Sequence, residues 1–160
     1  MNSRYKKYIV AGLGIGLVFW ACVKKKTYST TPEIEYKAFY PYTGDSADFV
    51  IKFMDGDGDI GVGQDDTTKT LYVNYYYKDT VTGKYVGYYS TFLNDTVKTG
   101  YIVKKPSDAY NGKAISGEIS VRLQQYRHSK KIKHVKYVSY LYDKAGHKSN
   151  VITTPEITVP

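Results

Sequence analysis

A single all-β domain, an antiparallel sandwich of seven or eight strands behind a short apolar N-terminal segment, is what this sequence predicts. Three observations predict it. Tyrosine is the outlier of the composition, with 19 copies against 5 Phe and 1 Trp; it favours strands and half-buried sheet surfaces, where the ring packs and the hydroxyl stays wet. Beyond Cys22 the chain runs in short stretches of alternating apolar and polar residues, broken by turns rich in Gly, Asp, Asn and Ser. No window beyond Cys22 has helical period and length. A chain of 160 residues has room for one domain with a proper core, and 42% hydrophobic and 24% charged residues are ordinary for a globular protein.

The first element is residues 1–21. Arg4, Lys6 and Lys7 form a positive start, and the stretch Ile9 to Ala21 is apolar. That stretch matches the apolar core of a signal peptide and is shorter than the roughly 20 residues needed to span a bilayer. It ends on Ala21-Cys22, and here the sequence resembles a bacterial lipoprotein signal, cleaved before a cysteine that carries a diacylglyceryl group. The resemblance implies lipidation of Cys22, the only cysteine of the chain, and two or three acyl chains suffice for stable anchoring. Phe19 and Trp20 are bulkier than the usual residues of such a signal. An uncleaved anchor helix stopped by Lys24, Lys25 and Lys26 is the alternative, and it too tethers the domain to a membrane. Gly12, Gly14 and Gly16 superficially echo a dinucleotide-binding fingerprint, but no strand, helix or spaced acid accompanies them.

Residues 22–32 are the lipidated Cys and a tether, Thr/Ser-rich and closed by Pro32. The net charge of +8 is largely a property of these two segments: six cations, Arg4, Lys6, Lys7 and Lys24 to Lys26, stand there without an acid. A basic footprint for nucleic acid should survive on the folded domain. Little of it does, which argues against nucleic acid as a partner.

The domain occupies residues 33–160. Alternation places strands at Glu33–Tyr40, Ala47–Met54, Thr70–Lys78, Tyr85–Phe92, Gly100–Lys104, Ile115–Tyr126, Ile132–Tyr142 and Asn150–Val159. Phe49, Ile51 and Phe53 oppose Val50, Lys52 and Met54; Ile119, Val121 and Leu123 oppose Ser120, Arg122 and Gln124. So many short strands in roughly 130 residues fit an immunoglobulin-like sandwich of two antiparallel sheets.

The connection after the second strand reads Met54-Asp55-Gly56-Asp57-Gly58-Asp59-Ile60-Gly61. Three carboxylates at alternate positions repel one another unless a cation sits among them, and Gly56, Gly58 and Gly61 let the backbone wrap tightly. Hard oxygens, several charges and a pliable loop suit Ca²⁺. Set against the twelve-position calcium loop of helix-loop-helix proteins, Asp55, Asp57 and Asp59 take positions one, three and five. Gly61 offers its carbonyl at seven, and Asp66 falls at twelve. Ile60 stands where that loop has glycine, Asp66 replaces the bidentate Glu, and no helices flank the loop. Asp65, or Asp143 at the end of the seventh strand, is the alternative completion, since the two loops belong at one end of such a sandwich. The competing reading is a solvated Asp-Gly turn. A site of about 0.1 mM affinity in about 1 mM calcium would add roughly 1.4 kcal/mol to stability.

With "FMDGDGDIG" and "YLYDKAGHKSNVITTPEI" both present, the chain resembles uncharacterised envelope lipoproteins of the Bacteroidetes type. These pair a DGDGDIG loop with a D-x-A-G-x-x-S-N hairpin near the end of an immunoglobulin-like domain. The resemblance implies a cell-envelope address on the outer membrane. No acidic cluster follows Cys22, so the periplasmic face is favoured over surface display. The hairpin itself closes two edge strands with a tight Gly turn.

Other constellations carry less. His128, His134 and His147 have no metal-ligand spacing, and no nucleophile motif accompanies them. A hydrolase would need a histidine–carboxylate pair inside a cleft. The basic run Arg127 to His134 reads as a solvated turn, or as a contact for phosphate-bearing lipid or polysaccharide. Tyr75, Tyr76, Tyr77, Tyr88 and Tyr89 cluster on expected strands, and alternation exposes part of them. Cross-strand packing explains them; stacking on a glycan or an envelope protein is the functional alternative. The expectation is therefore a calcium-braced, lipid-anchored, non-enzymatic envelope domain with a structural or protein-binding role. A glycan-binding module is the runner-up.

Overall fold

The computed structural model describes residues 28–126 and 128–159, so the expected signal segment, Cys22 and Arg127 lie outside the described residues. The elements in chain order are β1 (Glu33–Pro41), β2 (Ala47–Asp55), β3 (Leu71–Lys78), β4 (Tyr85–Gly87), β5 (Tyr89–Ser90), β6 (Asp95–Thr96) and β7 (Gly100–Tyr101). A 3-10 turn at Asp108–Tyr110 follows, then β8 (Ile115–Leu123), β9 (His134–Leu141), β10 (Ile152–Thr153) and β11 (Ile157–Thr158). The chain is an all-β sandwich. One sheet has the order β1-β2-β8; the other has β10-β9-β3-β4, with β11 also on β9 and β7 also on β3. Every strand pairing is antiparallel.

Alternation along β2 makes the core. Phe49, Ile51 and Phe53 turn inward and are buried, while Lys52 and Met54 face solvent. Opposite them stand Leu71, Val73 and Tyr75 of β3 and Val135, Tyr137 and Leu141 of β9. Burial of so many inward rings and aliphatic chains is the main force holding the two layers together. Tyr137 stacks on Phe39 (5.8 Å) and meets Phe49 at a tilt (5.9 Å).

Three expected strands are shorter or divided. Tyr85–Phe92 splits into β4, on the large sheet, and β5, which forms its own hairpin with β6. That hairpin turns at Asn94 with φ 49°, and Phe92, at its tip, is almost fully exposed. Gly100–Lys104 keeps only two strand residues before it leaves to bridge Val62 through Lys104. Asn150–Val159 is interrupted at Thr154-Pro155-Glu156, because proline cannot donate to the ladder. Thr154 repairs the gap: Tyr137 N–H donates to its hydroxyl at 3.1 Å, and its own N–H donates to the Tyr137 carbonyl at 3.0 Å.

Topology brings three connections to one end of the sandwich. Residues 56–70 leave the end of β2, residues 102–114 arrive at the start of β8, and the hairpin after β9 turns there as well. β1 also begins at that end, with Glu33 opposite Met54.

Candidate metal centre

The aspartate loop is held by contacts from every side. Ile60 is buried in the core and anchors it from within. The N–H of Gly112 donates to the Asp57 carbonyl at 2.6 Å, and that of Lys144 to the Asp59 carbonyl at 3.2 Å. Val62 is bonded on both sides at the exit of the loop, its N–H donating to the Val103 carbonyl and its carbonyl accepting from Lys105 N–H. Two glycines make the close packing possible. A Cβ at Gly56 would collide with the backbone carbonyls of Tyr28 and Ser29, and one at Gly58 with those of Tyr110 and Lys113. Gly58 also has φ +70°, a region that disfavours other residues.

Within this frame Asp55, Asp59 and Asp143 each bring a carboxylate oxygen to within 4.8 Å of the other two. Asp55 is fully buried and Asp143 nearly so. One oxygen each of Asp55 and Asp59 is held in place: Asp59 N–H donates to Asp55 Oδ2 at 3.0 Å, and Ala145 N–H to Asp59 Oδ2 at 3.1 Å. His147 clasps Asp143, its N–H on Oδ1 at 2.7 Å and its Nδ1 by Oδ2 at 2.8 Å. The Oδ1 atoms of Asp55, Asp57 and Asp59 are buried and have no hydrogen-bond partner. Orphaned acceptors on neighbouring acids are costly unless a cation takes their lone pairs. Asp57, expected among the ligands, is not one of the three that converge within 4.8 Å.

The electrostatics agree. Burial first, then the charges of Asp57 and Asp59, push the Asp55 carboxyl up to about 6. Asp59 is raised too, by burial and then by Asp143 and Asp57. His147 is raised by its bond to Asp143. Oxygen-only donors of this kind suit a hard cation such as Ca²⁺.

The second half of the expected ligand set does not arrive. Asp65 and Asp66 are exposed. Asp66 is turned away to accept from Thr68 N–H at 2.8 Å, and Lys104 Nζ ties down the carbonyls of Gly63, Gln64 and Asp66. Ile60 is the physical reason: its burial drags the chain into the core where a helix-loop-helix site would keep wrapping the ion. Gly61, at φ +83°, is the bend where the loop leaves the acidic cluster for the Val62–Lys104 bridge. Asp143 takes the place in the cluster that Asp66 leaves.

The five tyrosines do not make one surface. Tyr75 is buried, its hydroxyl is unpartnered, and burial raises it to about 12. Its ring meets His128 at 4.3 Å, and His128 in turn stacks on the exposed Tyr88 at 4.7 Å. Tyr77 lies 6.4 Å from Tyr75, Tyr76 is half-buried opposite Gly87, and Tyr89 bonds Asn94 within the small hairpin. A group absent from the sequence-based expectation stands on the outer face of the large sheet, where Tyr72 stacks on Tyr140 at 5.1 Å and Tyr142 meets both edge-on. The alternation in "LYV" and "SYLYD" was the signal for it. These rings cover one another's faces, with Lys148 over Tyr140 at 4.1 Å.

Among the described residues two histidine–carboxylate pairs form, His147 with Asp143 and His134 with Glu156 at 2.9 Å. Neither pair lines the clefts of about 420, 340 and 320 Å³ that border β2, β8 and β9. Among those residues no helix is long and apolar enough to cross a membrane. Comparison of the chain with protein-family models, with curated proteins and with solved structures finds no match in any of the three.

Proposed function

We propose that this chain is a lipid-anchored cell-envelope protein whose sandwich is braced by calcium, and that its role is structural or protein-binding. The observation that carries the calcium is the meeting of Asp55 and Asp59, each with a buried and unpartnered carboxylate oxygen, with Asp143 from the closing hairpin. The ion would join the β2–β3 connection to the β9–β10 hairpin, two segments far apart in sequence, and so tie one sheet to the other. The address rests on the sequence features around Cys22. Tyrosines that pack against each other and into the core favour this reading over a glycan platform, which needs flat, free ring faces.

The test has two arms on the full chain in mild detergent. Calcium should raise the melting temperature by about 5 °C over chelator, the shift expected for roughly 1.4 kcal/mol in a domain of this size. Asp57→Ala should abolish the response. Mass spectrometry of chain made in a Gram-negative envelope should find residues 1–21 gone and Cys22 diacylated, and Cys22→Ser should leave the precursor uncut. Indifference to calcium would reduce the loop to a turn; an unmodified Cys22 would remove the anchor.

A further inference from the structure

We infer that two copies of this chain pair edge to edge through β8, joining their three-stranded sheets into one continuous six-stranded sheet. The inference goes beyond the proposed function and needs neither calcium nor the lipid anchor.

The two edges of the β1-β2-β8 sheet differ. β1 is guarded: its register with β2 shifts between Tyr36 and Ala38, and Asn150 clamps Ile34 by two bonds, Ile34 N–H to Oδ1 at 2.8 Å and Nδ2 to the Ile34 carbonyl at 2.9 Å. β8 is unguarded. Its nine residues pair with β2 in unbroken register from Ile115–Asp55 to Leu123–Ala47, and no proline, lysine or bulge interrupts it. Among the described residues no backbone hydrogen bond joins it to any strand but β2. Natural sheets blunt such an edge unless it is used.

The flank beside β8 is also open. A cleft of about 340 Å³, lined by Phe53, Ile60, Val103, Ile115 and Ile119, lies along its first half. A second of about 320 Å³, lined by Val73, Tyr75, Leu123 and Tyr137, lies along its other half. A strand added to β8 would turn its own inward side chains over these clefts, because cross-strand neighbours point to the same face.

Charge identifies the occupant as a second copy. Outward on β8 stand Ser116, Glu118, Ser120 and Arg122, all exposed. An antiparallel pairing about a two-fold axis at Ser120 sets Glu118 opposite Arg122 of the second copy, and Arg122 opposite its Glu118. Each strand already continues a charged row: Glu35, Lys52 and Glu118 are neighbours across the sheet, and so are Asp48 and Arg122. Joined at the axis, the row reads Glu35, Lys52, Glu118, then Arg122 and Asp48 of the second copy, alternating in sign at every step. Inside, Ile119 meets Val121, and Gly117 makes room for Leu123. One strand is self-complementary in charge and in size.

The experiment is sedimentation velocity on the full chain in mild detergent, up to about 100 µM, with melting curves to show that each variant is folded. The wild type should dimerise. Glu118→Arg and Arg122→Glu each set like charges opposite one another and should each raise the dissociation constant about tenfold or more. Mixed together, the two variants are complementary at both contacts and should dimerise as the wild type does. Ser120→Lys places two ammonium groups at the axis without touching the Lys37–Glu118 or Asp48–Arg122 pairs, and serves if a charge reversal fails to fold. A monomeric wild type, a dimer indifferent to Glu118→Arg and Ser120→Lys, or a folded mixture that stays monomeric would each overturn the inference.

Discussion

The carboxyl of Asp55 is fully buried, and with burial and two neighbouring acids pushing it up to about 6 it binds its proton more tightly folded than unfolded. The sign follows from linkage: such a group adds stability below its unfolded value near 4 and loses it as pH rises through about 6. In chelator the melting temperature should therefore fall between pH 4 and pH 7. On the proposed function calcium would take the deprotonated form, so the gap between calcium and chelator curves should widen over the same range. Asp55→Asn keeps the acceptor for Asp59 N–H while removing the charge. In chelator at pH 7 it should melt above the wild type, and it should ignore calcium. Calorimetry across pH checks all three, and a wild-type chelator curve that rises toward pH 7 would refute the account. At this scale the sequence was half legible. Asp55, Asp57 and Asp59 stood out by their spacing, and Asp55 and Asp59 converge, whereas Asp57 is not among the three that meet. Asp143 could only be offered beside Asp65 and Asp66, since the choice among them depends on where the burial of Ile60 directs the chain.

The elements of the fold were the most readable part, because a half-buried strand writes its two faces into the sequence as alternation. β1, β2, β3, β8 and β9 stand within a few residues of their expected places. What alternation leaves out is which sheet a strand joins. Tyr85 to Phe92 is one run in sequence and two elements in space: Gly87 is pressed against Thr96 and Tyr76, and the chain departs from β3 there. The loop between β2 and β3 is an element in its own right, built on close approach. Gly58→Ala should cost about 3 kcal/mol or more, from the positive φ and from contact with two backbone carbonyls that cannot move aside. A denaturant midpoint reduced without change of slope is the expected signature, and a cost under about 1 kcal/mol would show that the loop is looser than this packing implies.

Across the whole molecule, the sheets are joined by one core and, at their margin, by single side chains. Asn150 is the clearest: it follows the closing hairpin, yet its amide bonds both backbone groups of Ile34 on the opposite sheet. Asn150→Ala should cost about 1–3 kcal/mol, for two lost bonds at a half-buried site, and hydrogen exchange should quicken at the Ile34 amide. Unchanged protection there would deny the clamp its role. The serine beside it is equally occupied, accepting from Leu141 N–H at 2.9 Å. The "SN" of the hairpin was visible in sequence as a turn signal, but its reach across sheets needs the strand order.

The chain enters the sandwich at the aspartate end, where β1 begins, and its last strand, β11, lies against the start of β9 at the other end, Thr158 beside His134. A pull between the two termini therefore runs along the strands. It would slide β1 against β2 with the whole ladder from Glu33–Met54 to Pro41–Ala47 sharing the load, whereas a pull across the sheet would part the same bonds one at a time. The passage of Tyr28 and Ser29 over Gly56 puts the aspartate loop at the first point such a force would reach. A domain loaded in this way would meet the force with its strands in shear.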